Sequence, residues 1–151
     1  MTLDELRNLA ADLFPRAVHE AINNPGSTNQ PLEELKGLCW NNFEALGFDC
    51  MAQCFDAAVP KTEGTLSLSS WSDGEVSATP WRIRVRCRPF HISQRDAHIE
   101  IRHDGPLPGI TETGYRSRFV PMSKFAAMSP EEFVRSEVCD KLPKSSQMML
   151  F

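Results

Sequence analysis

The chain has 151 residues, 41% of them hydrophobic and 24% charged, with a net charge of −4; this fits one domain that can bury a core without a metal or disulfide staple. No apolar run approaches the roughly 18 residues of a membrane span, and no cationic segment leads into an apolar one near Met1, so neither a span nor a secretory signal is expected. Five cysteines, an odd number with no C-x-x-C pair, predict reduced thiols in a cytoplasmic protein.

Thr2 stands three residues before Glu5, a capping-box pattern that opens a helix. Leu3, Leu6, Leu9, Ala10, Leu13, Ala17, Val18, Ala21 and Ile22 continue it at helical spacing. Pro15 interrupts that pattern and predicts a kink or two short helices. The string N-N-P-G-S-T-N-Q-P (23–31) reads as a loop. A second helix is expected from about Pro31, with Leu32, Leu35, Leu38, Cys39, Phe43 and Leu46 on its apolar face and Gly47 at its end. Residues 48–59 fit both a helical and an alternating template; the helical one matches more residues and is preferred.

From Thr65 the period becomes two. T-L-S-L-S-S-W (65–71) reads as a strand and S-D-G-E (72–75) as a hairpin turn. The returning strand runs from Val76 to Arg88, with Pro80 implying a bulge or an edge. A-H-I-E-I-R-H (97–103) alternates again, and Tyr115 to Val120 forms a fourth strand. Ser129-Pro130-Glu131-Glu132 then opens a last helix, buried through Phe133, Val134, Val138 and Leu142. The expected fold is α+β: two to three N-terminal helices, an antiparallel meander of about four strands and a C-terminal helix, with the helices on one sheet face. Residues 1–151 are expected to form a single domain with 143–151 as a tail. The apolar end of that tail, M-M-L-F, calls for a groove in the domain, in a second copy or in a partner.

Charge is divided along the chain. Residues 1–59 hold nine acids against three bases, a net of −6, whereas 82–118 hold eight arginines against four acids, a net of +4. The basic half centres on W-R-I-R-V-R-C-R (81–88). Strand alternation sends Trp81, Ile83, Val85 and Cys87 to one face and Arg82, Arg84, Arg86 and Arg88 to the other. Extending that parity puts Ile99, Ile101, Tyr115 and Phe119 in the core. It puts Trp71, His98, Arg102, Arg116 and Arg118 beside the arginines, with Glu100 as the single acid. Neighbouring arginines roughly 6.6 Å apart repel by only about 0.6 kcal/mol in water, so the ladder needs no partner to exist. It can be a solvated face, an anion-binding face or one side of internal ion pairs. The acidic helices offer a second charged surface through Asp4, Asp12, Glu20, Glu33, Glu34 and Glu44.

Signals for chemistry are sparse. Cys50 and Cys54 share a helical face, but with His91, His98 and His103 they make no zinc spacing. No H-E-x-x-H, G-x-S-x-G or phosphate-binding glycine loop occurs. No metal, no cofactor and no catalytic residue are expected.

The segment Ile110-Thr111-Glu112-Thr113-Gly114-Tyr115-Arg116-Ser117-Arg118-Phe119, with Phe133-Val134-Arg135, resembles a stretch in small uncharacterised proteins of bacterial plasmids and integrative elements. The resemblance implies an accessory role on mobile DNA, such as blocking a host nucleic-acid-targeting defence of the CRISPR or restriction kind; it assigns no catalytic residues. The expected function is therefore non-enzymatic binding of a protein partner, such as a nucleic-acid-processing complex, through charged surfaces. The alternatives are a nucleic-acid binder using the arginine face and a small enzyme using Cys54 or Cys87 with a histidine. A homodimer is open, and no membrane partner is expected.

Overall fold

Thr2 caps the first helix in both directions. Its hydroxyl accepts from the Glu5 N–H at 3.2 Å and its own N–H donates to the Glu5 carboxylate at 3.3 Å. The structure, a computed structural model, describes residues 1–139, 141 and 142. Helix α1 (Leu3–Asn23) runs as one element through Pro15, so the expected division into two helices does not occur. Leu6, Ala10, Leu13 and Phe14 before the proline and Ala17, Val18 and Ala21 after it are buried. That continuous apolar stripe outweighs the one backbone bond Pro15 cannot make. Helix α2 (Gln30–Asn42) carries Pro31 in its first turn and is capped by Asn29. The Asn29 carboxamide accepts from the Leu32 N–H and donates to the Ala17 carbonyl, fixing α2 to α1. Helix α3 (Met51–Ala58) bears out the helical reading of the ambiguous segment and buries Cys54, Phe55 and Ala58.

Five strands follow: β1 (Lys61–Glu63), β2 (Trp71–Ala78), β3 (Trp81–Pro89), β4 (Asp96–Arg102) and β5 (Tyr115–Pro121). They form one sheet in sequence order, parallel between β1 and β2 and antiparallel elsewhere. The expected strand over 65–71 is not formed, and S-D-G-E is the middle of β2 rather than a turn. The reason lies at Gly74. Leu66 packs where a Gly74 side chain would stand, 3.1 Å from a Cβ there, so this glycine serves a close approach rather than a bend. The hairpin turn is Thr79-Pro80, joined by a cis peptide bond, with Ala78 paired to Trp81. Pro80 thus lies in the turn and not at a bulge.

Helix α4 (Pro130–Cys139) begins where the Ser129 hydroxyl accepts from the Glu132 N–H, as the sequence predicts. The helices pack on one face of the sheet. There Val76, Ile83, Val85, Cys87, Ala97, Ile99 and Ile101 meet the apolar sides of α1–α4 in one connected core. A short 3-10 turn, Met122–Ala126, adds Met122 and Phe125 to it. No helix among the described residues is long and apolar enough to cross a membrane. The tail 143–151, and the groove expected for it, lie outside the described residues.

Candidate interaction face

The pleat of β3 divides its residues as the alternation requires. Ile83, Val85 and Cys87 are at most 1% exposed beneath the helices, and Arg82, Arg84, Arg86 and Arg88 project from the opposite face, which is free of helices except at its Arg88 end, where Phe55 of α3 meets Trp71. Strand β4 joins this face in register, with Arg102 opposite Arg84, Glu100 opposite Arg86 and His98 opposite Arg88.

Strand β5 breaks the expected parity. Its partners are His98–Phe119, Glu100–Ser117 and Arg102–Tyr115, while Ile99 faces Arg118 and Ile101 faces Arg116. Tyr115 and Phe119 therefore stand on the open face, each 46% exposed, and Arg116 and Arg118 turn toward the helices. Arg118 pairs with Glu137 of α4 and lies 5.9 Å from the centre of the Phe133 ring. Arg116 donates to the Ile110 carbonyl at 3.2 Å. The β4–β5 loop sets this register. Its Leu107 is fully buried, and the His103 N–H donates to the Gly114 carbonyl at 2.7 Å. Gly114 has φ +83°, and a Cβ there would stand 2.2 Å from the His103 carbonyl oxygen, so only glycine closes the loop.

The face is also less basic than alternation alone implies. Because S-D-G-E is strand, Asp73 lies opposite Arg86 and Glu75 opposite Arg84. The charge pairs are Arg86–Asp73 at 2.9 Å, Arg82–Glu75 at 3.3 Å, Arg84–Asp104 at 2.8 Å and Arg102–Glu100 at 3.0 Å. Arg88 instead lies 5.2 Å from the centre of the Trp71 ring. Internal pairing, with acids of the sheet and its β4–β5 loop rather than with the acidic helices, is thus the arrangement of four of these five arginines. The exposed pairs contribute about 0–1 kcal/mol each. Glu100 is different: it is 7% exposed, so stripping it of Arg102 would leave a buried charge uncompensated.

A row of rings crosses the face beside the charges. Trp71 meets His91 edge-on at 5.2 Å, His91 stacks on His98 at 5.5 Å, and His98 stacks on Phe119 at 4.7 Å. Trp71 and His98 are each 6% exposed, so neither is the open stacking platform expected of it; Phe119 and Tyr115 are. His98 shares a 2.7 Å hydrogen bond between Nε2 and the Ser117 hydroxyl, and its Nδ1 lies 3.7 Å from the Glu100 carboxylate. Burial pulls the His98 imidazole below its ordinary pKa. Glu100 opposes that shift, and His91 and Arg88 add to it.

The predicted acidic residues sit on the solvent sides of α1 and α2 and in the turn after α2. Asp4 and Asp12 are matched by Arg7 and Arg16 one turn on, at 3.6 and 3.0 Å. Half-buried Glu20 accepts from Asn24, and Glu33, Glu34 and Glu44 are exposed. Of the thiols proposed for catalysis, Cys87 is fully buried and pushed up to about 12 by burial, and buried Cys54 is raised by the same cause. Cys87 lies opposite Ile99 on the core side of the sheet, and His98 points to the other, so they form no nucleophile–base pair. No cluster of three metal-ligating side chains occurs among the described residues.

A sequence-family profile described as the KlcB third domain matches residues 73–146, just under half of the chain. The match begins within β2 and runs beyond α4, taking in the arginine strand, β5 and the loop that sets its register and leaving out α1–α3. Comparison with curated proteins and with solved structures finds no match.

Proposed function

We propose that this chain is a non-enzymatic, plasmid-associated accessory protein that binds another protein through the open face of its sheet. The KlcB third-domain similarity supports the plasmid association, and the matched residues include β3, β4 and β5 of this face. The observation that carries the binding role is the pairing of exposed Tyr115 and Phe119, each 46% exposed, with arginines whose charges are already matched. Aromatic and arginine side chains dominate the centres of protein interfaces. A charge-matched face also suits a protein of mixed charge better than a phosphate backbone, which rewards unmatched cations. The partner we infer is a host complex that processes nucleic acid, with the chain acting as its inhibitor.

The test is capture from a bacterial lysate on the immobilised chain, repeated after nuclease treatment and with Tyr115→Ala/Phe119→Ala. A partner retained after nuclease and lost from the variant is the expected result. Loss of all capture on nuclease treatment would replace the protein partner by nucleic acid.

A further inference from the structure

At the end of the sheet where β3 leaves the arginine ladder, α2, α3 and the segment after β3 line a half-open cavity of about 380 Å3. Met51, Phe55, Phe90 and Ile92 give it apolar walls, and Trp71 and His91 close one side. That volume is within the range of small-molecule sites. The chain forms the rim by an unusual backbone step. Phe90 has φ +65°, a left-handed conformation rare for a bulky residue. The step sends the Phe90 ring inward against Phe14 at 5.8 Å and leaves Ile92 70% exposed at the mouth.

Two cations border the cavity, Lys36 from α2 and Arg88 from β3. The other arginines of the open face have a carboxylate within 3.3 Å. Among the described residues, neither Arg88 nor Lys36 has one at ion-pair distance. Asp56, the one carboxylate among the described lining residues, is engaged by Lys61 at 3.6 Å. Burial holds the half-buried Lys36 ammonium below its ordinary pKa, and Glu33, one turn earlier, offsets that only in part. Arg88 lies against the Trp71 ring, which orients a guanidinium while leaving N–H groups for a planar anion. The planar Arg88 fork matches a carboxylate, and the apolar walls beside it suit an apolar body that carries one.

We propose that this cavity binds a carboxylate carried on an apolar body, with the anion between Arg88 and Lys36 and the body against Phe55, Trp71 and Ile92. The site does not depend on the sheet face binding a protein. A free organic acid and the C-terminus of a peptide offer the same chemistry.

The test is a titration of the full chain followed by amide chemical shifts. The probes are 3-phenylpropionate, N-acetylphenylalanine, the neutral 3-phenylpropanamide and adenosine monophosphate. The expected result is saturable shifts at residues 51–56 and 88–92 with a carboxylate, and affinity at least about tenfold lower for the amide and for Arg88→Gln, a loss of about 1.4 kcal/mol. Tighter binding of N-acetylphenylalanine would assign the site to a peptide terminus, and tighter binding of 3-phenylpropionate to a free acid; either supports the proposal. Lys36→Met, which leaves the Arg88–Trp71 contact in place, should weaken the carboxylate alone. No saturable shift at millimolar carboxylate, equal affinity for the amide, or a response to adenosine monophosphate alone would overturn it.

Discussion

His98 is held neutral by its surroundings, and that has a consequence for stability. Ser117 and Phe119 face it from β5, Arg88 from β3, Glu100 from its own strand, and His91 from the segment after β3. In the unfolded chain His98 takes up a proton as pH falls through its ordinary 6.5, whereas the folded imidazole, its pKa lowered, resists. The unfolded state then binds more protons, so the contribution of His98 is complete above 6.5 and is lost as pH falls through the folded value. Urea midpoints taken from about pH 7.5 to about pH 5.5 should therefore fall, and His98→Phe, which keeps the stack, should flatten the slope. A variant with an unchanged slope would mean that another group carries the dependence. Gly114 makes a harder demand. Gly114→Ala meets both the left-handed φ and the His103 carbonyl, whereas Gly47→Ala meets only a φ of +87° with open space around it. The first should cost roughly 3 kcal/mol or more and the second about 1–2 kcal/mol, read from denaturation midpoints; equal costs would mean that the loop yields.

Helix α1 carries its own test at the scale of the element. Pro15→Ala supplies the missing N–H to an otherwise continuous helix and should stabilise the chain by about 1–3 kcal/mol in urea unfolding. A loss of stability would show that the ring itself packs usefully. The same helix marks what could be read in advance. The capping box at Thr2, Pro31 in the first turn of α2, the Ser129 cap of α4 and the inward side of β3 all follow from local chemistry, which the residues carry on their own. The misreadings came from contacts distant in sequence. Asp73-Gly74 has the composition of a turn, and only the packing of Leu66 against Gly74 explains why it is strand. Tyr115 and Phe119 look like core residues beside Ile99 and Ile101. Their outward placement depends on whether the 103–114 loop pairs even residues of β4 with even or odd residues of β5, which no alternation within either strand encodes. The cavity was harder still to anticipate, because Lys36, Phe55, Trp71 and Arg88 meet there from four separate elements.

The whole molecule is polarised less than its sequence suggests. The −6 of residues 1–59 is spread over solvent-facing helix surface, and four of the eight arginines of 82–118 are paired with Asp73, Glu75, Glu100 and Asp104. With a net charge of −4, the open face should bind duplex or single-stranded oligonucleotides only weakly at physiological salt. Its acids, not a shortage of arginines, are then what limit such binding. Neutralising two of them in Asp73→Asn/Glu75→Gln keeps the side-chain shapes and releases Arg82 and Arg86 from their carboxylates. If these cations then reach phosphates, affinity should rise and the slope of log affinity against log salt should steepen by about 1–2. Fluorescence anisotropy with a labelled oligonucleotide at several salt concentrations measures both quantities. Tight, strongly salt-dependent binding by the unaltered chain would mean that the phosphate backbone displaces the acids by itself, and the charge-matched face would then be a nucleic-acid surface rather than a protein one.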